Sequence, residues 1–334
     1  MVYYRRIQSL FMNVCIIGLG SMGRRRIRLL KRCRPETMIV GVDSDIKRVK
    51  NAAEEFGINT YLALEDIEEE MDCAFVCTSP QSHAEIIKDC LEKGMHIFSE
   101  INLLQDMYDE NIDRAKKRGK ILFLSSTSLY KAEMRIIDQK VKLVGKPCIY
   151  QYHVGQYLPD WHPWDDLKNF FISRKETNGC RELLAFELPW LQSTFGAIDR
   201  INVIKKKITD LDIKFSDTYL IQLEHDDGST GNLLVDVVSR QPVRRLEILN
   251  EDLYIQWNGT PDSLYEKDNE SEELKQLQAD EYIHDEKYGA FINEYAYMKE
   301  IEDFFAVLNG KQPLYSFVQD KETLRIIDEI EGLI

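Results

Sequence analysis

From residue 13 to about residue 125, short apolar runs alternate with longer stretches in which apolar residues recur every three or four positions. The runs cover 14–17, 38–42, 60–61, 73–77, 96–99 and 121–125. Helical periodicity covers 24–34, 45–56, 64–70, 81–93 and 105–118. Continuous apolar runs of strand length, separated by amphipathic helices, are the pattern of strands buried on both faces. This half therefore predicts an α/β fold: a doubly wound parallel sheet with helices on both sides. Such sheets bind ligands beyond the carboxyl ends of their strands. That places the loops 18–23, 43–45, 78–83 and 100–103 at the binding edge.

The pattern changes after a helix at 132–144. Residues 148–157 are strand-like, a loop rich in Trp and Pro follows, and a helix covers 181–195. Residues 201–257 then read as successive antiparallel strands. Strands at 219–225 and 231–238 flank Asp226-Asp227-Gly228, a type I′-like turn signal. Strands at 244–249 and 254–257 make a second hairpin. Residues 259–286 are polar and acidic and read as a mobile loop, and helices at 291–308 and 321–331 close the chain. The organisation is thus a Rossmann-type domain over 12–127 and an α+β domain over 128–334 with a mainly antiparallel open sheet. An open sheet must cover its free face, which predicts a homodimer or homotetramer through the C-terminal sheet.

The first strand runs into Gly18-Leu19-Gly20-Ser21-Met22-Gly23, with Asp43 at the end of the second strand, twenty residues past the last glycine. Strand, G-x-G-x-x-G, helix and acid at this spacing form a dinucleotide fingerprint. Gly18 allows the tight turn, Gly20 lets the backbone approach a pyrophosphate, and Gly23 lets helix and strand pack closely. The helix N-terminus offers free N–H groups to the phosphates. The Asp43 carboxylate suits the ribose diol of NAD and repels the 2′-phosphate of NADP, so NAD is the expected cofactor. Ser44 and Lys47 soften that choice.

The chain has 334 residues, with 43 basic and 57 acidic side chains and a net charge of −14. That balance argues against a general nucleic-acid binder, and no apolar stretch reaches the ~20 residues of a membrane span. The seven cysteines form no C-x-x-C pair and read as free thiols of a reducing cytoplasm. No histidine and carboxylate grouping has metal-ligand spacing, so no metal is expected. Residues 1–11 precede the nucleotide strand and read as a dispensable extension or an alternative start.

Taken in order, Gly18-Leu19-Gly20-Ser21-Met22-Gly23-Arg24, Thr78-Ser79-Pro80-Gln81-Ser82-His83, Gly94-Met95-His96-Ile97-Phe98-Ser99-Glu100 and the later Glu300, Phe304-Phe305 and Asn309-Gly310 resemble the Gfo/Idh/MocA oxidoreductases. The resemblance covers nearly the whole chain from about residue 12. It implies a Rossmann domain plus an open α/β domain, and hydride transfer between NAD(P) and a sugar or related polyol. It further implies cofactor contacts from Gly18, Gly20, Ser21, Met22, Gly23, Arg24, Asp43, Thr78, Ser79, Pro80, His83, Glu100 and Asn102. Two departures bear on chemistry. Where the family usually has Glu-Lys-Pro, this chain has Glu100-Ile101-Asn102. Where it usually has Asp and then His four residues later, this chain has Glu182 and Phe186.

Hydride transfer at a carbinol needs a proton acceptor near the oxygen. The densest substitute is the stretch 152–164, with two histidines, two tyrosines, an aspartate and two tryptophans. His162 is the first candidate base, oriented by Asp160, and His153, Tyr157 and Glu182 follow. Gln156, Trp161 and Trp164 are candidate sugar contacts. Arg181 and Arg240 are candidate anion ligands. The alternative for the loop is a stiff aromatic segment that covers the core or makes a subunit contact. The alternative for each arginine is a surface ion pair. The expectation is a cytoplasmic NAD-dependent oxidoreductase acting on a sugar, nucleotide sugar or sugar acid. The branch with these departures resembles proteins of surface-polysaccharide and nonulosonic-acid biosynthesis. A competing reading is a dinucleotide-binding sensor or regulatory protein that has lost dehydrogenase chemistry, and a purely structural partner is the third.

Overall fold

The computed structural model describes residues 12–161, 170–268, 270–278, 283 and 292–334. The chain divides into two compact units. The first is built from residues up to Ser126 together with Tyr297–Lys321, and the second from Thr127–Ala296 together with Glu322–Ile334. The division into 12–127 and 128–334 therefore needs correction at the C-terminus, where residues 297–321 return to the first unit.

In the first unit, strands β1 (Val14–Ile17), β2 (Ile39–Val42), β3 (Asn59–Tyr61), β4 (Cys73–Val76), β5 (His96–Ser99) and β6 (Leu122–Leu124) form one sheet in the order β3-β2-β1-β4-β5-β6. All neighbours run parallel. Helices α1 (Ser21–Cys33), α2 (Ile46–Phe56), α3 (Pro80–Glu92) and α4 (Tyr108–Arg118) connect the strands. The strand order reverses between β1 and β4, and the crevice at that point is where a doubly wound sheet takes a dinucleotide. The expected helix at 64–70 is only a 3-10 turn, Leu64–Asp66, with no buried residue. A helix with no face to bury is not held by tertiary packing. Helix α4 starts at Tyr108 rather than 105, because Met107 before it has φ 53.

The second unit carries α5 (Ala132–Val144), α6 (Gly179–Phe195) and strands β7 (Ile149–Gly155), β8 (Ile198–Lys206), β9 (Thr218–His225), β10 (Thr230–Asp236), β11 (Val243–Leu249), β12 (Tyr254–Trp257), β13 (Leu264–Lys267) and β14 (Leu274–Gln276). They form one sheet in the order β14-β13-β12-β11-β7-β10-β9-β8. Only β7 and β10 pair in parallel. The sheet has one buried and one open face: along β9, Tyr219, Ile221, Leu223 and His225 are buried while Leu220, Gln222 and Glu224 are exposed. Two expectations change here. The β9–β10 connection is not a type I′ turn, because that turn needs positive φ at two residues and only Gly228 has it. Part of the acidic 259–286 stretch is sheet, since β13 and β14 extend the edge beyond β12.

Helix α7 (Glu294–Leu308) brings Phe304 onto the parallel sheet. Its ring meets Phe75 edge-on at 5.3 Å, while Phe75 stacks on Phe98 at 4.4 Å. Helix α8 (Phe317–Glu331) ends the chain. Arg26 on α1 is fully buried below this cluster. Its guanidinium donates to Glu100 at 2.5 and 3.1 Å, to Glu300 at 2.6 Å and to the Tyr297 carbonyl at 3.1 Å. Removing the cation leaves two buried carboxylates facing each other. Arg26→Met is expected to destabilise the protein by about 3–5 kcal/mol. Urea unfolding followed by circular dichroism checks this, and Glu300→Gln in the same background should recover part of the loss.

Candidate functional site

The phosphate-binding turn follows from steric limits. Gly18 has φ 93, and a Cβ there would lie 2.8 Å from the backbone of Cys77 and Thr78. A Cβ on Gly23 would lie 1.9 Å from the Gly18 carbonyl oxygen. Both positions require glycine. Gly20 differs: its Cβ direction is open, and the nearest atom is Nη1 of Arg48 at 3.8 Å. Helix α1 begins at Ser21 and Met22 with no side chain capping its amides. An uncapped N-terminus beside an open glycine is what a pyrophosphate needs. Asp43 is buried and accepts the Leu19 N–H at 2.7 Å and the Asp45 N–H at 2.9 Å. Those bonds fix the carboxylate at the mouth of the turn, with Arg48 at 3.6 Å. These residues fit a dinucleotide. Arg24 turns away to α2, where it pairs with Glu55 and lies over the Phe56 ring.

The loops after β4 and β5 are joined by His83. Its ring is buried, and burial pulls its pKa down despite its hydrogen bonds to Asn102 and Thr78. A neutral ring has one N–H. Nε2 lies 3.0 Å from the Thr78 carbonyl, which can only accept, so the proton is there. Nδ1, 2.6 Å from the Asn102 amide, then accepts. Turning that amide end for end gives Nδ1 its donor and uses Asn102 Nδ2, which is otherwise buried without a partner. Ser79 precedes α3, Pro80 opens it, and Ser82 donates to the Thr78 hydroxyl at 2.8 Å. The Glu100 carboxylate is taken by Arg26, so its expected contact with the cofactor is corrected to a positioning role for the 100–102 loop.

The second unit holds the other candidates, and it separates them. His153 follows Ile149 and Gln151 in the alternation of β7, whereas Tyr150, Tyr152 and Val154 are buried on the opposite face. His153 thus points away from the face that carries Tyr152. It bonds Asp236 at 2.7 Å, across Gly155, where a Cβ would clash with that carboxylate. Burial opposes the Asp236 charge, but bonds from His153, the Val238 N–H and Ser239 outweigh it and hold the pKa low. The strand period therefore corrects His153 from a candidate base to a hydrogen-bond partner of Asp236 on the open face.

Asp160 is exposed at the end of a 3-10 turn, Leu158–Asp160. Trp161 donates Nε1 to the Gln156 carbonyl at 3.1 Å. Arg240 lies over the Tyr157 ring at 4.1 Å. Arg181 is corrected outright: its guanidinium is buried and paired with Glu331 and with Asp328 at 2.7 Å on α8. Its position one turn into α6, after the Asn178 cap, aims it at those acids and not at a ligand. His162 and Trp164 lie outside the described residues.

Two features were not visible in the sequence. Glu187 of α6 accepts from Tyr152 at 2.9 Å, Trp190 at 2.7 Å and Arg244 at 3.2 Å. Lys131, which precedes α5, is reached by the charges of Arg244, Glu187 and Glu133. Burial, with Arg244 adding to it, lowers its pKa to about 8. Glu182 is the remaining expected candidate. The residue keeps some exposure, yet its Oε2 is buried without a partner, and burial raises its pKa to about 8. Among the described residues no group of three metal-ligating side chains occurs, and no helix is long and apolar enough to cross a membrane.

Residues 12–126 match the model of the oxidoreductase family with an NAD-binding Rossmann fold. Biliverdin reductase A of Homo sapiens is 25% identical over 194 residues, covering 57% of this chain and 60% of its own. The chain spans about half the length of the curated relatives it matches. Its fold is that of UDP-N-acetylglucosamine 3-dehydrogenase GnnA from Acidithiobacillus ferrooxidans, with a TM-score of 0.76, 17% identity and coverage of 97% and 98% of the two chains. An oxidoreductase from Agrobacterium radiobacter in complex with NAD+, L-tartaric acid and magnesium gives a TM-score of 0.82 at 13% identity, with 96% of each chain covered.

NAD is expected to bind at least about tenfold more tightly than NADP, a gap of about 1.4 kcal/mol. Asp43→Ala should narrow it, because the carboxylate repels the 2′-phosphate. Titration calorimetry with both nucleotides measures each arm.

Proposed function

We propose that this chain, whose residues 12–126 match the model of the oxidoreductase family with an NAD-binding Rossmann fold, is a Gfo/Idh/MocA-type NAD-dependent dehydrogenase or reductase of a sugar, nucleotide sugar or sugar acid. The open turn at Gly20, with uncapped α1 behind it and Asp43 at its mouth, carries the reading. The sugar class is supported by the name of the GnnA relative in fold. The nicotinamide cofactor, when bound, would exchange the hydride, accepting it as NAD when a carbinol is oxidised and donating it as NADH when a carbonyl is reduced. Gly18, Gly20, Ser21, Met22 and Gly23 present backbone to its phosphates, and Asp43 orients the adenosine ribose. Thr78–Pro80, His83 and Asn102 shape the neighbouring loops.

In this reading Glu182 holds the proton. The family's acid position keeps a carboxyl here, and its unpartnered Oε2 is free of any structural duty. With a pKa of about 8 it is neutral at pH 7. It then donates when a carbonyl is reduced, and accepts only above pH 8 when a carbinol is oxidised. His162, with Asp160, stays a second candidate. Ile101 and Phe186 favour the rival reading of a sensor, because neither moves a proton. The open sheet face, which exposes Ile149, Ile204 and Leu220, is proposed to be covered by a second copy of the chain in a dimer or tetramer in the cytoplasm.

The test is turnover of a panel of nucleotide sugars and sugar acids, followed by NADH absorbance. Glu182→Gln should lower kcat by about 100- to 10,000-fold and leave NAD affinity intact. The fall of the reduction rate above pH 8 should vanish with it. Tight NAD binding without turnover of any substrate would establish the sensor instead. Glu182 also makes a stability prediction. Its folded pKa lies above the unfolded 4.5, so the folded state binds more protons between pH 4.5 and 8. Stability contributed by this group therefore falls as pH rises through that window. Urea midpoints of the protein and of Glu182→Gln, compared at pH 5 and pH 8, should converge at the lower pH and favour the variant at the higher.

A further inference from the structure

Three arginines follow the glycine turn directly, and each is already engaged. Arg24 pairs with Glu55. Arg25 is buried, lies over the Tyr297 ring at 4.7 Å and bonds the Met22 sulfur at 3.0 Å. Arg26 is taken by Glu100 and Glu300. A fourth cation reaches the turn from the next helix. Arg48 is the third residue of α2, after the Asp45 cap, whose carboxylate accepts the Lys47 and Arg48 N–H groups at 2.8 and 3.4 Å. Helical side chains lean toward the N-terminus of their own helix. The Arg48 side chain thus returns to the carboxyl edge of the parallel sheet, where Nη1 lies 3.6 Å from Asp43 Oδ2. The same nitrogen lies 3.8 Å from the position of a Cβ on Gly20.

The pair with Asp43 leaves this guanidinium largely unspent. Its length is beyond that of a good hydrogen bond, and the Arg48 side chain is 56% exposed. Exposed ion pairs contribute little to stability. Among the described residues the Arg48 side chain donates no hydrogen bond. Asp43 does not depend on it either, since its two oxygens already accept the Leu19 and Asp45 N–H groups. A guanidinium carries five donors in a plane that matches phosphate oxygens. Arg48 holds one loosely between the carboxylate that suits a ribose diol and the glycine whose open side admits a pyrophosphate. It is placed to exchange the first for the second.

We propose that Arg48 is the counter-ion of the dinucleotide's pyrophosphate, giving up Asp43 for phosphate oxygens as the cofactor enters. This rests on the dinucleotide-binding part of the dehydrogenase reading and adds a side-chain charge to a turn that otherwise presents backbone alone. Asp43 and Arg48 then divide the work. Asp43 takes the ribose diol and decides between NAD and NADP. Arg48 meets a group that both dinucleotides share, so it raises the affinity of both alike. The exchange is favourable because a weak, exposed ion pair is given up for charge-assisted hydrogen bonds to phosphate.

The test is titration calorimetry of the full chain with NAD, NADP and ADP-ribose, the last of which keeps the pyrophosphate and lacks the nicotinamide. Arg48→Gln should weaken all three by about tenfold and leave the ratio of NAD to NADP affinity unchanged. Added salt should weaken NAD binding to the unmodified protein more than to the variant, because it screens a charge contact at the surface. Arg48→Lys keeps the charge without the planar fork and should recover part of the loss. Lys50→Gln, an exposed change on the same helix, should alter nothing. A loss confined to NADP makes Arg48 a ligand of the 2′-phosphate and overturns the proposal. So does NAD binding that Arg48→Gln leaves unchanged or tightens, which reduces Arg48 to a partner of Asp43. Failure of the underlying reading shows separately, as no binding of any of the three nucleotides to the unmodified protein.

Discussion

The buried charge network around Arg26 is the constraint on which the first unit depends. One guanidinium, without solvent contact, ties the cofactor helix α1 to the loop after β5 and to α7. Glu300 passes the connection on by accepting the Ser126 N–H at 2.7 Å. Arg26 also lies over the Phe98 ring at 4.5 Å, so the network rests directly on the aromatic core. Its ions are expensive to bury, and only mutual pairing makes the arrangement tolerable. What it secures is position: Glu100 is held, and therefore the backbone of Ile101 and Asn102 is held too.

From that anchor a chain of hydrogen bonds runs along the binding edge. Asn102 meets His83, and His83 meets the Thr78 carbonyl beside the Gly18 turn. The loops that would otherwise move independently are thus fixed with respect to one another. A histidine at position 83 serves this better than a charged residue, because burial keeps the ring neutral and able to donate at one nitrogen while accepting at the other.

The second unit is organised around a carboxylate instead. Glu187 gathers a tyrosine, a tryptophan and an arginine on the buried side of the sheet. Paired charges hold this scaffold: Glu187 binds Arg244, and Arg181 binds Asp328 and Glu331.

The sequence by itself determined most of the fold. Apolar runs, helical periodicity and glycine spacing gave the parallel sheet, the order of its helices and the Gly18–Asp43 site, because these depend on local sterics and period. The 132–144 helix and the hairpin partners 244–249 and 254–257 were legible for the same reason. Local pattern misled where a segment's state depends on distant partners. The acidic 264–276 stretch has little strand signal, yet it pairs on to the edge of an existing sheet. His153 and Arg181 carry suitable chemistry, but the face of a strand and the acids of α8, 147 and 150 residues away, decided what they touch. Lys131 and Glu187 gave no motif at all. A pKa or a missing partner is a property of burial and of neighbours brought together from far along the chain, and only tertiary structure assembles those.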